Sequence, residues 1–169
     1  MKEVTFEHVF DCDEDTFWDK IFFDEEYNRT LFRDRLRFNL WKQEIHESTD
    51  ALLRRTVHVQ PPVGDVPGAV RKILGERFGY QEHGKFDRKT KRYHVDITPS
   101  SAAEKASIYG DLWVEKVGDK RIKRTAKMHV EVRVFMVGGF IEDKVISDMR
   151  LSYDKAADFT NEWIKDKGL

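Results

Sequence analysis

The sequence predicts an α+β fold in which a strongly curved antiparallel sheet wraps around one long C-terminal helix. Three observations carry this. First, Gly138 to Lys167 reads at helical spacing. Ile141, Val145, Met149, Ala156, Phe159 and Trp163 share a flank, Ile146, Tyr153 and Ile164 lie beside it, and Glu142, Asp143, Asp148, Lys155, Asp158, Glu162 and Asp166 fill much of the rest. Second, nearly everything upstream alternates apolar and polar residues at period two, the signature of half-buried strands. Third, these strands follow one another through short turn-forming segments, which calls for antiparallel pairing in a meander.

Taken in order, Lys2 to Phe10 is a first strand with Val4, Phe6, His8 and Phe10 on one face. Asp11-Cys-Asp-Glu-Asp ends it, and Asp13 is placed to cap a short helix carrying Phe17, Trp18, Ile21 and Phe22. Asp24-Glu-Glu opens a second short helix through Tyr27 and Leu31, with its acids where a helix dipole favours them. Strand signals resume after Arg33: Leu36, Phe38 and Leu40 alternate with Arg35, Arg37 and Asn39, and Trp41 breaks the parity as a bulge would. A turn at Glu47-Ser-Thr-Asp leads into Ala51 to Gln60, where Leu53, Val57 and Val59 alternate with Arg54, Thr56 and His58. Pro61-Pro-Val-Gly-Asp-Val-Pro-Gly cannot continue a strand, and Ala69 to Leu74 adds a turn or two of helix stopped by Gly75. Four more strands follow, marked by Phe78, Tyr80 and Phe86, by Tyr93, Val95 and Ile97, by Ile108 to Val114, and by Ala126 to Met136. Charged turns separate them near Asp87-Arg-Lys-Thr and Val117-Gly-Asp-Lys. The Gly138–Gly139 pair is read as the hinge into the final helix, and Gly168 as its stop. That makes six to seven strands, with two short helices after the first.

Bulk properties narrow the function. A chain of 169 residues suggests one domain over 1–169, with room for a core and a cavity within it. The net charge of −1 gives no global electrostatic argument for nucleic acid, and aromatic residues are not interleaved with the basic stretches, so no nucleic-acid partner is expected. Charge is uneven, however. Residues 1–30 carry ten acidic and three basic side chains, a balance of −7, while 85–92 and 115–127 each stand at +4. Those basic hairpin ends suggest transient contact with an anionic membrane surface, set against plain solvation. A single cysteine, no apolar leader and no long apolar run point to a cytoplasmic protein.

Three stretches carry a family resemblance: Val4-Thr-Phe-Glu-His-Val-Phe with the short helices after it, Val66-Pro-Gly-Ala-Val-Arg-Lys-Ile-Leu-Gly, and Val137-Gly-Gly-Phe-Ile-Glu-Asp-Lys-Val. With this element order, the chain resembles the START/Bet v 1-like (SRPBCC, helix-grip) superfamily. Within it the chain is similar to the bacterial family of unknown function DUF2505, the Gly-Gly-x-Ile-Glu junction being the most specific feature. Phe10-Asp-Cys-Asp-Glu-Asp-Thr-Phe-Trp is more loosely similar to sterol-binding VASt domains. The resemblance implies a mostly apolar internal cavity between sheet and helix, reached past the short helices and hairpin loops. It implies no particular catalytic residue.

By parity the candidate cavity residues are His8, Phe38 and Leu40, then Leu53, Val57, Tyr80, Tyr93 and Val95. The later strands add Leu112, Met128, Val130 and Val132, and the last helix Ile141, Val145, Met149 and Tyr153. An apolar lining with tyrosine hydroxyls and adaptable methionines suits a lipid, fatty acyl or sterol-like ligand. No catalytic residue, metal ligand set or cofactor is expected. The six histidines lack the i, i+4 metal spacing, Cys12 sits among acids that raise a thiol pKa, and no nucleophile elbow or phosphate loop occurs. Glu82 and Asp111 are the carboxylates to consider for proton transfer, both expected to face solvent. The reading is thus a non-enzymatic binder or carrier gated by Phe17–Phe32 and the Pro61–Gly68 loop. The alternatives are a polyketide cyclase/aromatase-like enzyme and a cavity-free interaction module.

Overall fold

The computed structural model describes all of residues 1–169. Seven strands form one antiparallel sheet: β1 (Lys2–Phe10), β2 (Leu40–Ser48), β3 (Leu52–Gln60), β4 (Tyr80–Asp87), β5 (Arg92–Pro99), β6 (Ala106–Gly118) and β7 (Arg121–Val132). Their spatial order is β1-β7-β6-β5-β4-β3-β2, so β2 to β7 form a meander and β1 closes beside β7. Short helix α1 (Glu14–Phe17) widens into a π-helical turn over Trp18–Phe22. Helix α2 (Glu25–Thr30) does the same over Leu31–Arg35. Helix α3 (Gly68–Leu74) lies in the long β3–β4 connection, and α4 (Gly138–Lys167) spans the concave face.

The local signals explain most boundaries. The Asp13 carboxylate accepts the Thr16 N–H at 2.8 Å, and that of Asp24 accepts the Tyr27 N–H at 2.7 Å, so each short helix begins at its capping acid. Gly75 (φ 75°) and Gly168 (φ 68°) take the positive φ that glycine tolerates and end α3 and α4, Gly168 in the left-handed helical conformation. Three expectations are corrected. Leu36 to Asn39 is not strand: Tyr27 and Leu31, four residues apart, bury one helical face, and the turn continues until the Leu36 N–H bonds the Leu31 carbonyl at 2.9 Å. Arg37 (φ 59°) then reverses the chain, and the bulge falls between Ile45 and Glu47 rather than at Trp41. At the β7–α4 junction the left-handed residue is Met136 (φ 66°), not a glycine. Gly138 is needed for close approach, since a Cβ there would stand 2.3 Å from the Val132 carbonyl oxygen.

The two ends of the sheet differ. Under α1 and α2, at the end holding the β4–β5 and β6–β7 hairpins, Phe17, Trp18, Phe22, Phe23, Phe86 and Tyr93 form a continuous aromatic cluster. Its centroid separations include 4.4 Å for Trp18–Phe86 and 4.9 Å for Phe22–Tyr93. Phe10, Phe17, Trp18, Ile21 and Leu31 are buried in it, each worth about 1.5–3 kcal/mol of apolar burial. The expected gating role of Phe17–Phe32 is therefore corrected: these helices are anchored by their own core side chains. Cys12 belongs to the same core at 2% exposure. At the other end, α3 and the Pro61–Gly68 segment carry a single buried side chain, Val70.

α4 is fastened along its length. Tyr153 stacks on Phe6 at 4.7 Å, Tyr27 Oη and Thr160 Oγ1 share a hydrogen bond of 2.7 Å, and Glu142 accepts the Val132 N–H at 2.9 Å. The N-terminal acids also find partners: Glu3 pairs with Lys127, Glu7 with Lys123, Asp11 with Arg121, and Glu14 and Asp15 with Lys91. Four of the eleven basic side chains in the two hairpin stretches, Lys91, Arg121, Lys123 and Lys127, are thus paired within the molecule. No helix is long and apolar enough to cross a membrane.

Candidate functional site

The candidate site is the space between the concave sheet and α4. Of the residues expected there, Leu53, Val57, Tyr93, Val95, Leu112, Met128, Val130 and Ile141 are packed into the interior with less than a tenth of their surface accessible. His8, Tyr80, Val132, Val145, Met149 and Tyr153 keep partial exposure. Phe38 packs on Phe32 at 5.3 Å before β2 begins. Leu40 is 39% exposed: it pairs with Gln60, and the half-buried Trp41 and Gln43 take the opposite parity. An apolar cleft of about 100 Å³ opens at the loop end. Pro61, Val66, Ile73 and Phe78 wall it on one side, and Val132, Ile141 and Val145 on the other. That volume is below the roughly 300 Å³ at which drug-sized pockets begin.

Deeper in, three charged groups occupy inward positions of strands. The Arg55 guanidinium donates from Nε to Tyr93 Oη at 3.1 Å and from Nη1 to Gln43 Oε1 at 3.3 Å, and lies 4.9 Å from the centroids of both Phe22 and Phe23. Aromatic faces thus replace much of the water it loses. Arg124 donates from Nη2 to His8 Nδ1 at 2.8 Å and sits over Phe10 and Tyr153, while its Nε has no partner. Because His8 Nδ1 accepts from Arg124, the ring proton is on Nε2, which donates to Asp154 at 2.9 Å. Burial first, and then the Arg124 charge, hold the His8 pKa down against the opposing pull of Asp154.

The third is Glu82, between Tyr80 and Gly84 on the inward face of β4. This corrects the expectation that it faces solvent. Burial raises its pKa, with Arg55 opposing. Burial likewise pushes Tyr80 well above its ordinary value and Tyr153 up to about 12, so both phenols are neutral at physiological pH. None of Glu82, Tyr80 and Tyr153 makes a side-chain hydrogen bond or ion pair within the protein, and each residue keeps accessible surface although enclosed deep in the fold. Tyr93, by contrast, is engaged by Arg55 and fits against Gly84, where a Cβ would meet its hydroxyl at 1.7 Å.

Period two places all three charged groups on inward faces, although none was among the expected cavity residues. Arg55 stands between Leu53 and Val57, Arg124 between Ile122 and Ala126, and Glu82 two residues from Tyr80. Asp111 does lie on the outer face, hydrogen-bonded to His94 at 3.1 Å. His129 stacks there on Tyr109 at 4.8 Å, and His58 lies 3.8 Å from Glu44. No three His, Cys, Asp or Glu side chains converge as metal ligands would. Burial, reinforced by Asp13 and Asp11, pushes the Cys12 thiol up to about 11, far from a reactive thiolate.

The family model described as "Protein of unknown function (DUF2505)" matches residues 5–164. No curated protein matches the sequence. Among solved structures, the Zhui aromatase/cyclase from Streptomyces sp. R1128 superposes with a TM-score of 0.63 at 9% identity, over 99% of this chain and 96% of that one. Norcoclaurine synthase from Thalictrum flavum, in complex with dopamine and hydroxybenzaldehyde, gives 0.61 at 14% identity over 95% and 87%. A START superfamily protein from Mycobacterium smegmatis gives 0.60 at 11% identity over 96% and 98%. At such identities the likeness establishes the fold, and the family model, spanning nearly the whole chain, establishes the kinship: the protein is a member of the DUF2505 family, built on the START/Bet v 1-like helix-grip fold.

Proposed function

We propose that this protein binds a small, largely apolar molecule between the concave sheet and α4, with the loop end as the way in. The observation that carries this reading is a set of inward-facing polar side chains, Tyr80, Glu82 and Tyr153, that keep accessible surface and form no hydrogen bond within the protein. Buried polar groups are ordinarily satisfied, and groups that are not are suited to hydrogen-bonding a guest. Apolar walls would supply the affinity, at about 25 cal/mol per Å² buried. The cleft at Pro61, Ile73 and Val145 marks where the guest enters, and α3, with its single buried anchor, is the element that moves to enlarge it. Named neighbours of this fold that act on or hold small aromatic molecules support the reading.

The test is native mass spectrometry of the protein as isolated from cells, followed by organic extraction. A discrete adduct of small-molecule mass is the expected result. A bare protein that also fails to bind an uncharged fluorescent probe such as N-phenylnaphthylamine would overturn the proposal.

One observation favours a second reading, a cyclase- or aromatase-like enzyme: a carboxyl raised by burial, as Glu82 is, is the kind of group that transfers protons near neutral pH. If the second reading holds, a polyketide-like substrate is turned over by the native protein and Glu82→Gln abolishes turnover while leaving binding intact.

A further inference from the structure

Of the three charged groups inside the fold, Arg124 alone has no opposite charge on the inward face of its own strand or of a neighbouring one. It sits on β7 at 5% exposure, its guanidinium carbon 5.1 Å from the Phe10 ring and 4.9 Å from the ring of Tyr153 on α4, and so lies between sheet and helix. The inward residues of β1 and β6 beside it, Phe6, His8, Phe10, Leu112 and Val114, include no acid. Asp154 of α4 is reached only through the His8 ring, which bonds Arg124 at 2.8 Å and Asp154 at 2.9 Å. Glu82 does not fill the place. The strand order puts β5 and β6 between β4 and β7, about 14 Å at sheet spacing, and the pairing of Val57 with Glu82 makes Arg55 its diagonal neighbour instead. Buried charges are ordinarily paired, and an unpaired one is costly to keep.

The donors left over define what fits. A guanidinium carries five N–H groups along two edges, Nε with Nη2 and Nη1 with Nη2. His8 takes one hydrogen of Nη2, so one edge stays complete, and neither Nε nor Nη1 has a partner within the protein. Two parallel donors match the two oxygens of one carboxylate. A doubly charged phosphate would call for a second cation, and Arg55, four strands along the sheet on β3, is held by Tyr93 and Gln43. The route from outside also fits. Val145 lies on the cleft wall, and Tyr153 lies eight residues further along α4, about 12 Å. Val145, Met149 and Tyr153 share one helical flank and all keep accessible surface, so an apolar track leads from the cleft to the cation.

Resting on the binding proposal above, we infer that the guest is an apolar molecule ending in a carboxylate, which Arg124 holds in a two-pronged pair at the deep end while the apolar body lies along Tyr153, Met149 and Val145 toward the cleft. His8, tied to Asp154 on its other nitrogen, fixes the plane of the guanidinium.

The experiment uses the intact chain and pairs of equal apolar size, dodecanoate against dodecanol and naphthoate against naphthol, each displacing bound N-phenylnaphthylamine at neutral pH. In at least one pair the carboxylate should displace the probe at a concentration at least about tenfold lower than its alcohol, and the pair that shows the gap tells a chain from a ring. In Arg124→Gln the gap should fall to about threefold or less while the probe still binds. Arg124→Lys keeps the charge but not the fork and should narrow the gap by at least about twofold, which decides the matter if the glutamine variant does not fold. Alcohols that bind as tightly as their carboxylates in both pairs, or a gap that survives substitution of Arg124, overturn the inference and leave the binding proposal standing. Failure of the probe to bind at all overturns both.

Discussion

The two ends of the sheet solve opposite problems with one backbone. At the hairpin end, α1 and α2 drive Phe17, Trp18, Ile21 and Leu31 into a stack of aromatic rings that reaches Phe86 and Tyr93. At the loop end, a segment beginning Pro61-Pro and bearing one short helix meets the first half of α4 across an apolar cleft. The lesson is that a curved sheet closed over a helix does not fill itself: filling requires large side chains delivered by an extra element, and only one end has them. Stability and accessibility are thereby segregated, as they must be if part of a small protein is to open without unfolding the rest.

The sharpest way to break the comparison is to hollow the sealed end. Trp18→Ala should cost about 3–5 kcal/mol in urea unfolding, because its ring lies within 6 Å of four aromatic partners and little can collapse into the space. A cost near that of a surface substitution would mean the plug is loose. Overfilling the boundary between the two ends comes next. Gly84→Ala forces a Cβ against Tyr93 and should cost about 1–3 kcal/mol, and it should shift Tyr93 off Arg55, visible as a change in tyrosine absorbance.

The pH dependence contributes a comparable amount over a narrow range. His8 has a folded pKa below its unfolded value of about 6.5, so as pH falls below that the unfolded chain takes up the proton first and stability declines. The slope is at most about 1.4 kcal/mol per pH unit, and the decline stops once folded His8 also protonates. Subtracting the profile of His8→Gln should remove this component, and an unchanged profile would show that burial and Arg124 do not hold the ring neutral. The smallest effect belongs to the open end. Ile73→Ala, on a half-buried cleft wall, should cost no more than about 1 kcal/mol while speeding probe entry in stopped-flow fluorescence. A loss matching that at Trp18 would erase the distinction between the ends.

Much of this architecture was legible in the residues. The flank of α4, the caps at Asp13 and Asp24, the stops at Gly75 and Gly168 and the meander all follow from periodicity and turn chemistry. Leu36 to Asn39 mimics a strand, through the alternation of Arg35, Arg37 and Asn39 with apolar residues, whereas the burial of Tyr27 and Leu31 extends the preceding helix instead. The candidate site was half legible. Parity places the tyrosines and the apolar walls inside, and it places Arg55, Glu82 and Arg124 there too, although their charge by itself argues for solvent. What no sequence pattern conveys is which buried groups are already partnered: Tyr93 and Tyr153 share a residue type and an inward face, but Arg55 binds only the first. That division depends on distances between strands and helix, which arise only once the sheet has curled.

Cys12 carries a last consequence. The only thiol in the molecule is shut inside the sealed end, at 2% exposure and with its pKa pushed up to about 11, so in the native state it is deaf to alkylating reagents. Any labelling that does occur counts the moments when that end comes undone. Nature has in effect installed a tamper seal, and the rate at which it is broken, measured with a guest bound or absent, reports how far the two ends of this fold feel each other.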